Sequence, residues 1–167
     1  SSCYLDGSAY TIPLFSDVLK IYDGAAPLIV ELKPTENNVD QLCKTTCDML
    51  DGYNGIYCLE SFDPRCVMWL KKNRPDLIRG QLYMNYFKSE TSSLPWYLKF
   101  LLRHQLFNFI TKPDFVAYQY EDRITISNYI VRKFWNMPCV SWTLKTQEEY
   151  DTAVAEGSIP IFENIRP

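Results

Sequence analysis

The sequence predicts an α/β domain built on a parallel sheet. Three observations carry that expectation. Short apolar runs with β-branched residues alternate with amphipathic stretches about six times, at a spacing of roughly 25–30 residues. Spacings of that size leave room for the helical crossover that parallel pairing requires. The runs themselves are continuously apolar, as fully buried strands are. No glycine-rich phosphate loop follows any of them. These patterns leave barrel and open sheet equally open.

The elements follow in order. Residues 1–11 read as a loop, and Ser16-Asp17-Val18-Leu19 enters a short helix that ends by Asp23-Gly24. The run Pro27-Leu28-Ile29-Val30-Glu31-Leu32-Lys33-Pro34 is a buried strand stopped by a proline, which cannot donate to a ladder. A helix opens at Asn38 and carries Val39, Leu42, Cys43, Cys47 and Leu50 on one stripe. Ile56-Tyr57-Cys58-Leu59 is a second strand running into Glu60-Ser61-Phe62. Asp63-Pro64 starts the next helix, with the acid as cap and proline at the first position, and Pro75 stops it.

Residues 77–83 form the third strand. A long excursion over about 88–112 follows, read as one helix rich in Trp96, Tyr97, Phe100, Leu101, Leu102, Leu106, Phe107 and Phe109. A helix apolar on most of its circumference is buried between layers, covers a cleft or meets a partner. Strands at 115–118 and 139–144 bracket a loop at 119–123 and a helix over 124–135. Thr146-Gln147-Glu148-Glu149 has the form of a capping box, Gly157 the form of a C-cap, and 158–162 that of a final strand.

The composition narrows the function classes. With 167 residues the chain holds one domain with a sizeable core. Its 47% hydrophobic and 22% charged residues describe a globular rather than a disordered chain. A net charge of −3 leaves no basic footprint for nucleic acid or anionic lipid. No apolar run approaches the roughly 20 residues of a membrane span. The first residues, Ser1-Ser2-Cys3-Tyr4-Leu5-Asp6, lack the basic and apolar regions of a signal peptide. Six cysteines (Cys3, Cys43, Cys47, Cys58, Cys66, Cys139) are irregularly spaced, with no C-x-x-C pair, and His104 stands alone. That is not a zinc pattern; buried thiols in a reducing, cytoplasmic setting are expected.

Glu31 and Lys33 are the candidate chemistry. A period of two sends both to one side of the strand and Leu32 to the other. A charged pair at the end of a buried strand either meets a metal, a phosphate or another charge, or is a structural ion pair.

At this point the residues resemble a known family. Ile12-Pro13-Leu-Phe-Ser-Asp-Val-Leu19 ahead of Pro27-Leu-Ile-Val-Glu-Leu-Lys33 looks like the middle of a glycerophosphodiester phosphodiesterase domain. Glu60-Ser-Phe-Asp-Pro64 with Arg74-Pro75 and Arg79-Gly-Gln-Leu82, then Phe115-Val-Ala-Tyr118, then Ser141-Trp-Thr143 agree with it in order. The closing Ile161-Phe-Glu-Asn-Ile-Arg-Pro167 resembles the end of such domains.

The resemblance implies a TIM-type (β/α)8 barrel with its site at the carboxyl ends of the strands. It implies metal-dependent hydrolysis of glycerophosphodiesters to glycerol 3-phosphate and an alcohol, a step of lipid metabolism. In the family the acid of Glu-x-Lys holds a divalent cation, which falls on Glu31, and the lysine faces phosphate, which falls on Lys33. Carboxylate oxygens suit Ca²⁺ or Mg²⁺. Trp142 matches a pocket-wall position, with a core tryptophan as the competing reading. Ser61 and Gln81 sit at comparable strand ends, for substrate contact or for turn and core hydrogen bonds.

The chain also departs from the pattern. The family's His-Arg, Glu-x-Asp and His-Asp strands, which supply its histidines and two more metal carboxylates, are absent. The expectation is therefore the C-terminal portion of one barrel domain over 1–167: five to six parallel strands with a helical insertion near 88–112. Such a piece has open edges for the missing N-terminal strands or a partner chain, and little activity by itself; one metal carboxylate without the other two binds the cation weakly, so the cation is expected only with the full domain. The alternatives are a non-catalytic binding or scaffolding module derived from that barrel, and an unrelated open-sheet domain.

Overall fold

Six strands run parallel in one sheet whose spatial order is the chain order: β1 (Leu28–Glu31), β2 (Tyr57–Ser61), β3 (Arg79–Tyr83), β4 (Phe115–Gln119), β5 (Cys139–Leu144) and β6 (Ile159–Phe162). The structure, a computed structural model, describes residues 10–87 and 94–166. Residues 1–9 of the loop expected over 1–11, with Cys3, the opening of the insertion at 88–93 and the final Pro167 lie outside the described residues. The sheet curls into a half-barrel with helices on its convex side, a partial TIM-type barrel. Those helices are α1 (Phe15–Tyr22), α2 (Val39–Leu50), α3 (Pro64–Asn73), α4 (Trp96–Arg103), α5 (Asn108–Thr111), α6 (Ile126–Phe134) and α7 (Gln147–Ala155).

Alternation along each strand decides what packs where. Leu28, Val30, Leu32 and Leu59 face the helices, where they join Leu19, Cys43, Cys47, Leu50, Cys66 and Leu70. The opposite, concave face collects Cys58, Phe62, Leu82, Phe115, Ala117, Val140, Trp142 and Ile161. Gly80 belongs to that face, and a Cβ there would come within 2.2 Å of the Phe115 ring. Any larger residue there would have to push the Phe115 ring aside.

The helix starts agree with their local chemistry. Asp63 Oδ1 accepts from the Arg65 amide at 2.9 Å, with Pro64 at the first helical position. Thr146 and Glu149 close a full capping box, and Gly157 ends the last helix at φ +77°. Asn38 caps differently: its Oδ1 accepts from the Thr35 amide at 2.7 Å, bracing the loop before α2 instead of the helix itself.

The insertion departs from the single helix expected over it. It is two helices, α4 and α5, broken at Gln105, whose φ is +55°. Buried amides explain the break. Gln105 Nε2 donates to Asn128 Oδ1 at 2.8 Å, and Asn108 Nδ2 donates to Gln105 Oε1 at 3.2 Å. Asn128 Nδ2 in turn reaches the Tyr83 hydroxyl at 3.3 Å and the Asp122 carbonyl at 3.1 Å. Satisfying this chain of groups between α6 and β3 turns the backbone where the apolar pattern alone would continue it. The loop expected at 119–123 contains a 3₁₀ turn, Tyr120–Asp122.

Candidate active site

In a parallel sheet every strand ends at the same rim, so groups at the carboxyl ends converge. Glu31 is the last residue of β1, and it lies directly beside Glu60 in the ladder. Both belong to the concave face, since Val30 and Leu59, one residue earlier, pack against the helices. Lys33 lies two residues past the strand end, and its Nζ stands 3.3 Å from Glu31 Oε2. A cavity of about 360 Å³ opens here between Glu31, Lys33, Pro34, Ser61, Phe62 and Asp63.

The carboxylates differ in environment. Lys33 is largely in solvent and Glu31 is half-buried, whereas Glu60 is only 6% exposed. Glu31 Oε1 and Glu60 Oε2 are both buried without a hydrogen-bond partner. Burial first, and the charge of Glu31 second, push the Glu60 carboxyl up to about 7. The Cys58 thiol, two residues earlier on the same face, rises to about 11 through burial and then the charge of Glu60.

Phe62 forms the floor. The Trp142 ring meets it edge-on at 5.7 Å and the Tyr86 ring does so at 6.4 Å. Trp142 Nε1 is buried without an acceptor, which leaves a donor available on the wall. Burial first, then the charges of Asp63 and Glu31, push the Tyr86 hydroxyl up, so that ring too lies within reach of the mouth's field. Beside it a mainly apolar depression of about 520 Å³ runs under the insertion, with Phe62, Tyr86, Leu98, Leu102 and Phe107 along it and Asp63 and Arg65 at its edge. The mouth is therefore anionic at its rim and apolar along one flank. A larger groove of about 850 Å³ lies outside, between α3 and α5, and contains neither Glu31 nor Glu60.

Two of the sequence candidates occupy strand positions of the other face, although Ser61 also lines the 360 Å³ cavity. Ser61 Oγ donates to the Leu32 carbonyl at 2.7 Å and accepts from the Asp63 amide at 3.1 Å, which ties the end of β1 to the turn before α3. Gln81 Nε2 donates to the carbonyls of Ser61 and Phe62, at 3.0 and 3.2 Å, and of Leu82. The sequence candidates Glu31, Lys33 and Trp142 lie around the mouth, together with Glu60 and Tyr86, which the sequence pattern does not single out. His104 lies on the insertion, its ring 4.4 Å from that of Phe100 and its Nδ1 3.4 Å from Ser127 Oγ. Among the described residues no group of three or more His, Cys, Asp or Glu side chains is arranged to hold a metal. No helix among them is long and apolar enough to cross a membrane.

No protein-family model matches the sequence, and no curated protein matches it either. Solved structures do match in fold. A phosphodiesterase from Oleispira antarctica, in complex with the product sn-glycerol-3-phosphate, matches with a TM-score of 0.70 at 14% identity, over 91% of this chain and 57% of that one. A glycerophosphodiester phosphodiesterase from Parabacteroides distasonis matches with a TM-score of 0.68 at 11% identity, over 96% and 63%. One from Thermotoga maritima matches at 0.61 and 15% identity, over 91% and 60%. The chain thus spans less than two thirds of the length of the structures whose fold it shares.

Proposed function

We propose that this chain is the carboxyl-terminal part of a phosphoric diester hydrolase of the glycerophosphodiester phosphodiesterase type, which cleaves glycerophosphodiesters to glycerol 3-phosphate and an alcohol. The observation that carries the reading is the pairing of Glu31 and Lys33 at the mouth of a curled parallel sheet. Fold neighbours that are phosphodiesterases, one of them holding glycerol 3-phosphate, support it.

A divalent cation fits the donor set in kind. Glu31 Oε1 is a buried carboxylate oxygen with no partner, which suits a hard cation. Bound there, the cation would withdraw charge from the phosphoryl oxygens. Lys33 binds the phosphate from the solvent side, its ammonium free to turn from Glu31 to a phosphoryl oxygen. The Phe62 ring forms the floor and the Trp142 ring the wall, and Trp142 Nε1 can donate to a ligand oxygen. The apolar depression under the insertion takes the carbon-rich part of the leaving alcohol.

Proton transfer has no histidine at this mouth among the described residues, because His104 lies in the insertion, its ring tilted against that of Phe100. The 167 residues alone are accordingly of little or no activity, and the missing groups come from further strands of the same barrel or from a partner chain at its edges. That same gap, with Trp96, Tyr97 and Phe100 exposed on α4, favours a second reading: a non-catalytic module that binds a partner through the insertion.

Release of glycerol 3-phosphate from glycerophosphocholine decides between them. It should be absent for the 167 residues alone and present when they sit in their full reading frame, falling at least about a hundredfold on Glu31→Gln. Turnover that survives Glu31→Gln would overturn the proposal.

A further inference from the structure

We propose that Glu60 is a second carboxylate ligand, beside Glu31, of one divalent cation at the mouth of the half-barrel. The inference rests on the reading of Glu31 given above and adds a residue to the same site. The ladder sets the two acids side by side at adjacent strand ends, both turned to the concave face. Glu60 is more than nine-tenths buried, with Oε2 lacking any partner, and Glu31 Oε1 is likewise buried and unpartnered.

Two like charges held together with unpartnered buried oxygens form an unfavourable arrangement that a cation between them relieves. Among the described residues, protein cations do not supply that relief. Among the described residues the pair makes one ion pair, Lys33 to Glu31 Oε2, and it leaves Glu60 untouched. On its other side in the ladder Glu60 is flanked by Gly80, which has no side chain to offer. Two carboxylates, with the remaining positions taken by water and a phosphate oxygen, are a donor set that Mg²⁺ accepts readily.

Calorimetric titration of the chain in its full reading frame with Mg²⁺ and, separately, Ca²⁺ tests the assignment, with circular dichroism checking the fold of each variant. Glu60→Gln should weaken cation affinity at least about tenfold, and Glu60→Asp, which keeps the charge on a shorter arm, should fall between it and the parent. Parental affinity in Glu60→Gln, with binding lost in Glu31→Gln, would overturn the role of Glu60 and leave that of Glu31 standing. A parent that takes up neither cation, or a Glu31→Gln variant that binds as the parent does, would overturn both.

Discussion

Glu60 sits where ionising is expensive, and its titration reports on that. Its carboxyl titrates near 4.5 when unperturbed and at about 7 in the folded chain. Between those values the folded state keeps a proton that the unfolded state has released, so stability falls as pH rises through the window, by about 3 kcal/mol in all. Urea unfolding in cation-free buffer measures this. The parent should lose stability between about pH 4.5 and pH 7.5 relative to Glu60→Gln, which lacks the group. Parallel pH profiles for the two would contradict the buried, crowded carboxyl described above. Ser61 acts differently, as a bond between β1 and the turn after β2. Ser61→Ala should cost about 1–2 kcal/mol in the same unfolding experiment and leave Mg²⁺ affinity unchanged. An affinity loss would place that hydroxyl at the mouth. Glu31 and Lys33 share one strand end, where a period of two is enough to pair them, whereas Glu60 meets Glu31 only through the register between strands. The same period separates Ser61 from Glu60, and it assigns Ser61 to the helix side.

Local chemistry predicts elements well when the deciding groups are close in sequence. The helix from 39 to 50, the Asp63-Pro64 start, the Thr146–Glu149 box and the Gly157 stop all depend on neighbours within one turn. The insertion does not. Its apolar residues continue from 96 to 109 as one helix would have them, yet Gln105 bends the chain to reach Asn128, 23 residues later. Asn128→Ala tests that account. It strips Gln105, Tyr83 and the Asp122 carbonyl of a buried partner and should lower stability by about 2–3 kcal/mol in thermal or urea unfolding. A change within about 0.5 kcal/mol would mean that the amides do not hold the insertion in place.

At the scale of the whole molecule, parallel alternation was legible in the sequence but curvature was not. The stagger and tilt that curl a sheet leave no mark on apolar periodicity, and the barrel expectation came from resemblance. The half-barrel leaves β1 and β6 with one neighbour each among the described residues, and the amino ends of the concave face open an apolar cavity of about 520 Å³ past Ile29, Phe115 and Ile159. Unpaired edges exchange their amides readily. Hydrogen exchange on the isolated chain should therefore be slowest in β3 and β4 and fastest in β1 and β6, and equal protection across the sheet would show that its edges are covered. The claim on which the functional account turns is that the rim at Glu31 and Lys33 receives a phosphate. An NMR titration of the labelled chain with sn-glycerol 3-phosphate in the presence of Mg²⁺ measures it. The account predicts shifts at residues 31–34 and 61–63 and at the Trp142 indole, abolished by Lys33→Met. Shifts that gather instead in the outer groove between α3 and α5, or that persist unchanged in the Lys33 variant, would contradict it.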